Sequence, residues 1–353
     1  MKKLLVLTIL FASVSAVNTF ADDEIYLLSF FKDNGQAGVF LAYSEDGLKF
    51  TTLNDDKPIF APPEWENQNL TRDPSIVFHD GVFHMVWTSN WDGTVFGAAT
   101  SKDLITWSKP IRVKPFADWP KDDMPRNTWA PDLHRDPIRN DFFILWSSST
   151  KSVEGTGGHD SGGLENGPDK KIKEDLRYHR TFASRTKDFK TFSPAQLFFD
   201  PGMSEIDASM AFDDRDTNNE ADDRWVMAVK HEQIRELGGK NIRITTTGAQ
   251  LPLISPAIFH SPHDPAAIWS QPVAGLDSTV QPRHMVEGPT LLKIGKEWRL
   301  YFDRFDMREN RFGLATSSDL AIWTDRTDDL SIHPEARHGT VFLASKSAVG
   351  FLN

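Results

Sequence analysis

Arg72-Asp73-Pro74-Ser75-Ile76, Ala130-Pro131-Asp132-Leu133-His134, Ile206-Asp207-Ala208-Ser209-Met210, Glu287-Gly288-Pro289-Thr290-Leu291 and Arg337-His338-Gly339-Thr340-Val341 share one grammar. Each joins a polar or charged residue, one or two small turn residues and a run of strand-forming residues. Alternation and β-branched or aromatic content, plain also in Val82-Phe83-His84-Met85-Val86-Trp87 and Trp298-Arg299-Leu300-Tyr301-Phe302, predict β-strands. No long stretch has convincing helical periodicity. A second marker alternates with the first: Ser44-Glu45-Asp46-Gly47, Ser101-Lys102-Asp103-Leu104, Thr186-Lys187-Asp188-Phe189 and Ser317-Ser318-Asp319-Leu320, with a degenerate copy from Asp264 to Trp269. Its aspartates lie 57, 85, 76 and 55 residues apart, and each interval accommodates one four-stranded propeller blade. The marker is expected in the turn between third and fourth strands, where a short polar side chain caps the turn.

The chain therefore reads as an all-β, five-bladed β-propeller. Blades one to four start at Asp73, Asp132, Asp207 and Glu287, and the fifth innermost strand starts near His338. Too little chain follows His338 for three more strands. They are expected from residues 24–31, 37–43 and 50–53, so that paired chain ends close the ring and leave no sheet edge exposed. Two excursions stand out. Residues 152–173 form a Gly-, Ser- and Asp-rich loop within blade two, and residues 213–223 form an acidic hairpin that lacks the glycine of a calcium loop.

Residues 1–21 read as a secretory signal: Lys2-Lys3, an apolar run from Leu4 to Ala12, then small residues, with cleavage after Ala16 or Ala21. The run is too short to span a bilayer. Residues 22–353 are then one propeller domain, periplasmic or secreted, with no membrane attachment after signal removal and no partner chain required. The absence of cysteine excludes disulfides and leaves stability to core packing. Without Lys2 and Lys3, 37 Lys and Arg face 50 Asp and Glu, a net charge of −13. That balance argues against nucleic acid as a partner. It also disfavours strongly anionic polymers, except where a local Arg/Lys patch overrides it.

In an up-and-down blade, the start of strand one and the end of strand two share a face. That face collects the five quoted starts together with Phe30-Phe31-Lys32, Asn90-Trp91, Ser147–Thr150, Lys230-His231-Glu232 and Asp303-Arg304. The other face collects plain hairpins such as His79-Asp80-Gly81. Convergent polar groups mark the binding face. Carboxylates around one opening suit cleavage of a glycosidic bond. One acts as base toward water and another, for inversion at roughly 6.5–9.5 Å from it, acts as acid toward the leaving oxygen. Like-charge repulsion is expected to raise the pKa of the acid and keep it protonated near neutrality. The substrate would be an oligosaccharide or polysaccharide. Its candidate contacts are Arg72, Trp91 as a stacking platform, Asp132, His231, Asp303 and Arg304.

At these residues the chain resembles glycoside hydrolase family 43, whose members are five-bladed propellers acting on arabinans, xylans and galactans. Asp73 in RDPSIVFHDGVFHMVW, Asp207 in EIDASMAFDD and Glu287 in EGPTLLKIGKEWRLYF resemble its three acidic motifs. WAPDLH at Trp129–His134 and RHGTV at 337–341 resemble its second- and fifth-blade motifs. The resemblance implies Asp73 as general base, Asp207 as pKa modulator and orienter, and Glu287 as general acid, with no cofactor required for the chemistry. It makes Asp132 an inner-rim residue. It places His338 in the central channel, near a structural calcium where one is bound.

The Arg72-Asp73-Pro74 string also suits retaining fructan-type hydrolases, but their Asn-Asp-Pro-Asn and Glu-Cys segments are missing. A non-catalytic sugar-binding propeller would keep an aromatic rim without needing three acids in this order. Loops 116–127 and 152–173 are expected to wall one side of the opening, favouring removal of a terminal arabinofuranosyl, xylosyl or galactosyl unit.

Overall fold

The computed structural model describes residues 23–151, 177–200, 204–217, 223–231, 241–248, 274–275 and 285–352. The signal-like segment, the 152–173 loop, Glu232, the 264–269 turn and the middle of the acidic hairpin lie outside these described residues. The chain first lays down β1 (Glu24–Phe31), β2 (Phe40–Ser44) and β3 (Thr51–Thr52). A second sheet runs β4 (Arg72–His79), β5 (Val82–Thr88), β6 (Phe96–Ser101) and β7 (Ile111–Val113). The third is β8 (Trp129–Asp136), β9 (Asp141–Lys151), β10 (Arg177–Thr186) and β11 (Gln196–Phe199). The fourth is β12 (Glu205–Asp213), β13 (Arg224–His231), β14 (Asn241–Gly248) and β15 (Ala274–Gly275). The fifth is β16 (Val286–Ile294), β17 (Glu297–Arg304), β18 (Phe312–Ser317) and β19 (Thr324–Asp325). The last strand, β20 (Arg337–Ser345), pairs antiparallel with β1 and gives the first sheet the order β20-β1-β2-β3.

Every sheet is thus four-stranded, and each quoted stretch supplies the leading strand of one. These leading strands touch in succession: β4 with β8, β8 with β12, β12 with β16, β16 with β20, and β20 with β4. The result is an all-β, propeller-like arrangement with no α-helix among the described residues. Aromatic side chains fill the wedges between sheets. Phe96 meets Trp146 at 5.5 Å, Phe143 meets Trp225 at 5.1 Å, and Phe50 meets Tyr301 edge-on at 6.4 Å. Such pairs add about 0.5–1.5 kcal/mol each beyond their buried area.

The second marker sits where expected, between third and fourth strands. Asp46, Asp103, Asp188 and Asp319 each accept hydrogen bonds from the backbone N–H groups two and three residues on. The hydroxyls of Ser44, Ser101, Thr186 and Ser317 take the N–H three residues after them. The Trp107 and Trp323 indoles donate back to Leu104 and Leu320.

One irregularity recurs in every leading strand. Pairing jumps from Arg72 to Ser75, from Trp129 to Asp132, from Ile206 to Ser209, from Glu287 to Thr290, and between Arg337 and Thr340. In each case two residues face one on the partner strand, which is a β-bulge. Asp73, Ala130, Asp207 and Gly288, the first bulge residues of four sheets, have left-handed φ of 49°, 47°, 56° and 56°. Pro74, Pro131 and Pro289 occupy the second bulge position, where no ladder N–H is needed.

Candidate active site

The bulges place side chains in layers. The first layer holds Arg72, Trp129, Ile206, Glu287 and Arg337. The next holds the bulge residues Asp73, Ala130, Asp207, Gly288 and His338. Beyond the bulge come Ser75, Asp132, Ser209, Thr290 and Thr340. This register separates Asp132 from Asp73 and Asp207, although all three read as strand starts in the sequence. Asp132 lies two residues further along its strand, and Ala130 occupies the bulge. Glu287 stands one residue before its bulge.

A bulge also frees an N–H, and in four of the five sheets that donor is taken by the preceding sheet. Ala130 donates to Thr88 Oγ1 at 2.8 Å and Asp207 donates to Ser147 Oγ at 3.1 Å. Gly288 donates to Asp207 Oδ2 and His338 donates to Asp303 Oδ2, both at 3.2 Å. Buried amides must find acceptors, so these bonds fix adjacent sheets against each other at the level of the acids. Gly288 is required twice over, since its φ is left-handed and a Cβ there would meet the His338 ring at 2.5 Å.

Two carboxylates lie within 4.0 Å of the His338 ring, with two more close enough to act on its charge. Its Nδ1 lies 3.3 Å from Asp73 Oδ1 and 4.0 Å from Asp207 Oδ2. Thr88 Oγ1 donates to the other Asp73 oxygen at 2.7 Å. Glu287 pairs with Lys230 Nζ at 2.8 Å and with Arg337 at 3.5 Å. Asp303 takes Arg311 Nε at 2.8 Å. Burial works against a charge on His338, yet Asp73, Asp207, Glu287 and Asp303 together push its pKa up and favour the cation.

The two coupled acids separate in protonation. Burial, with Glu287 and Asp73 adding to it, raises Asp207 to about 6 against the pull of His338 and Lys230. Burial would raise Glu287 too, but the Lys230 ammonium and its hydrogen bond, with His338 and Arg337, hold that carboxyl down at about 2. This differs from the expectation for the acid, since the carboxyl that is raised is Asp207 and the Glu287 carboxyl is held down. Burial and the neighbouring Glu287 raise Asp303.

The remaining candidates divide. Arg72 is buried, donates to Asn34 Oδ1 at 2.7 Å, and lies 4.1 Å from the Trp91 ring and 4.7 Å from the Phe31 ring. Trp91 is 46 % exposed, and it meets Trp129 edge-on at 5.8 Å. Trp129 in turn stacks on His179 at 4.8 Å. Asp132 is held by Ser75 Oγ at 2.6 Å and His134 Nε2 at 3.2 Å. Burial opposes its charge, but His134, Ser75 and Ser209 outweigh that and keep its pKa low. Arg304 does not join the acids, because its guanidinium binds the Asn310, Arg311 and Phe312 carbonyls. His231 pairs through its backbone with Glu205, and its side chain lies outside the described residues. Lys230 had been visible only as one of several strand-end polar residues, while Arg337 and Arg311 had drawn no notice as site residues. The strand-two register, which sets Lys230 opposite Ile206, is the signal that finds Lys230, while Arg337 precedes its bulge as Arg72 does.

Among the described residues no group of three or more His, Asp or Glu side chains is placed to hold a metal ion. His338 faces two carboxylates, Asp73 and Asp207.

Residues 22–348 match the family described as "Probable glycosyl hydrolase domain", a group related to glycoside hydrolase family 43. No curated protein matches the chain. Among solved structures, a thermostable family-43 glycoside hydrolase is 14 % identical, with 72 % of this chain and 70 % of that one covered and a TM-score of 0.49. An exo-β-1,3-galactanase from Clostridium thermocellum is 13 % identical over 75 % of this chain and 50 % of its own, with a TM-score of 0.47. An α-L-arabinofuranosidase from Lactobacillus brevis is 16 % identical over 73 % and 72 %, with a TM-score of 0.44. The chain spans about half the length of the galactanase.

Proposed function

The chain belongs to the glycosyl hydrolase family related to family 43 and is a glycosidase, and from that premise we propose that it is a secreted or periplasmic, inverting, exo-acting enzyme. On this reading it is a monomeric five-bladed propeller, closed where β20 pairs with β1, that removes a terminal arabinofuranosyl, xylosyl or galactosyl unit. The observation that carries the site is the convergence of Asp73, Asp207 and Glu287 around His338 on bulged leading strands. Left-handed φ at Asp73 and Asp207 costs on the order of 1–3 kcal/mol each and persists where surrounding structure holds it, as at functional sites.

Asp73 is the base. Thr88 and His338 anchor its carboxylate, which takes a proton from the attacking water as the water oxygen bonds to the anomeric carbon. Glu287 is the acid toward the leaving oxygen, whose bond to the anomeric carbon breaks as it accepts the proton. That proton comes from the coupled pair, in which Asp207 is the raised member and Glu287 the lowered one. Entry of a sugar between Lys230 and Glu287 removes the ion pair that keeps Glu287 charged and lets it take the proton. Asp207 also positions the Glu287–Gly288 peptide through the Gly288 N–H.

The exo reading is supported by the 116–127 loop. Gly93 N–H donates to Arg126 O at 2.8 Å, which fixes the loop against the Trp91 turn as a wall. Sugar release from aryl arabinofuranosides, xylosides and galactosides tests the activity, and proton NMR of the first-formed anomer tests inversion. Retained anomeric configuration, or long oligosaccharides from a polymer digest, would contradict the respective claim.

A further inference from the structure

The site holds more positive charge than its acids require. Among the described residues Arg72, Lys230, Arg311, Arg337 and His338 stand against Asp73, Asp207, Glu287 and Asp303, within a protein whose net charge is −11. Lys230 is matched by Glu287, Arg311 by Asp303, and His338 by Asp73 and Asp207. Arg72 is left over, and Arg337 shares Glu287 and Asp303, at longer range, with Lys230 and Arg311.

The placement of Arg72 and Arg337 is regular. Each stands one residue before the bulge, on the adjacent leading strands β4 and β20, next to Asp73 and His338 respectively. Both guanidiniums lie against the buried Phe31 ring, at 4.7 Å and 5.3 Å. Among the described residues Arg72 has Asn34 as its hydrogen-bond acceptor and no carboxylate within ion-pair reach. Arg337 gives one N–H to the Asp33 carbonyl and stands 3.5 Å from Glu287 and 3.8 Å from Asp303. Its buried Nε faces Asp303 Oδ2 at 3.8 Å, beyond hydrogen-bond length. A buried donor without a full hydrogen bond costs about 1–3 kcal/mol, which a closer acceptor would recover. The guanidinium fork suits planar and tetrahedral anions, and it binds them in a way a lysine cannot reproduce.

We propose that Arg72 and Arg337 form an anion subsite beside the reactive acids, and that the enzyme's substrate carries a carboxylate or a sulfate on the sugar bound there. This rests on the glycosidase reading and deepens it by naming the substrate class. The acidic composition does not oppose it, because the local arginine pair overrides the bulk charge at the distances that matter under physiological salt.

The test is isothermal titration of the full chain with glucuronate against glucose, and with galactose 6-sulfate against galactose. Two charge-assisted contacts predict that at least one anionic sugar binds about tenfold or more tightly than its neutral counterpart. That preference shrinks as salt is raised, and Arg72→Gln and Arg337→Gln each abolish it, while the lysine variants retain part of it. The glucuronate arm identifies a carboxylate and the sulfate arm a sulfate ester. Equal binding of charged and neutral sugars, or no binding of either anion at millimolar concentration, overturns the proposal. The wild-type comparison decides this even where a variant fails to fold. Titration reads binding alone, so failure to release sugar from any glycoside would overturn the glycosidase reading and leave this result standing.

Discussion

Asp73 and Asp132 look alike in sequence, each an aspartate beside a proline at the start of an inner strand, and the structure gives them different work. In Asp73-Pro74 the acid is the bulge residue, with left-handed φ, one oxygen toward Thr88 and the other toward His338. In Pro131-Asp132 the order is reversed, so Ala130 takes the bulge and the acid falls one layer along, locked between Ser75 and His134. The order of two residues decides whether a carboxylate faces His338, at the proposed reaction centre, or fastens neighbouring sheets.

The largest expected effect exploits that contrast. Asp73→Asn and Glu287→Gln remove the proposed proton-transfer groups and should lower kcat by about 10²–10⁴, measured on an aryl glycoside. Asp132→Asn should keep most of the activity. It should instead lose about 1–3 kcal/mol of stability in urea denaturation, because buried polar partners are left poorly matched.

The pH profile sharpens the same comparison within the reactive ring. The acid must hold a proton, and Asp207 holds it up to about pH 6, so kcat/KM should fall as pH rises through about 6. Lys230→Met removes the first cation holding Glu287 down and also lifts Asp207, so the falling limb should move to higher pH. An unmoved limb would sever Lys230 from the chemistry. Removing one partner of a buried ion pair costs about 3–5 kcal/mol, and Arg337 at 3.5 Å from Glu287 should keep the loss below that range.

Much of the fold was legible because its grammar repeats. The turn marker is a local hydrogen-bonding device whose partners lie within three residues, so sequence alone locates it. The acids were legible as residue types at strand starts. Their layering was not, since a bulge is defined by pairing with a distant strand. Nor was the charge on Glu287, which depends on Lys230, 57 residues earlier, and on Arg337, brought in by another strand. Arg304 misled because strand-end position fixes where a Cα lies and says nothing of a long side chain that bends back onto its own turn.

The smallest expected effect lies at the rim. Trp91→Ala removes the ring stacked on Arg72, a contact of about 0.5–1 kcal/mol, and should raise KM modestly with kcat nearly unchanged. A large fall in kcat would move Trp91 from the rim into the reaction centre.

The account stands most directly on the rate of sugar release by Glu287→Gln compared with Asp132→Asn, both on the aryl glycoside the wild type cleaves best. It predicts a loss of about 10² or more for the first and near wild-type turnover for the second. Equal losses, or an active Glu287→Gln enzyme, would contradict the division of the inner strands into a reactive layer and a fastening layer.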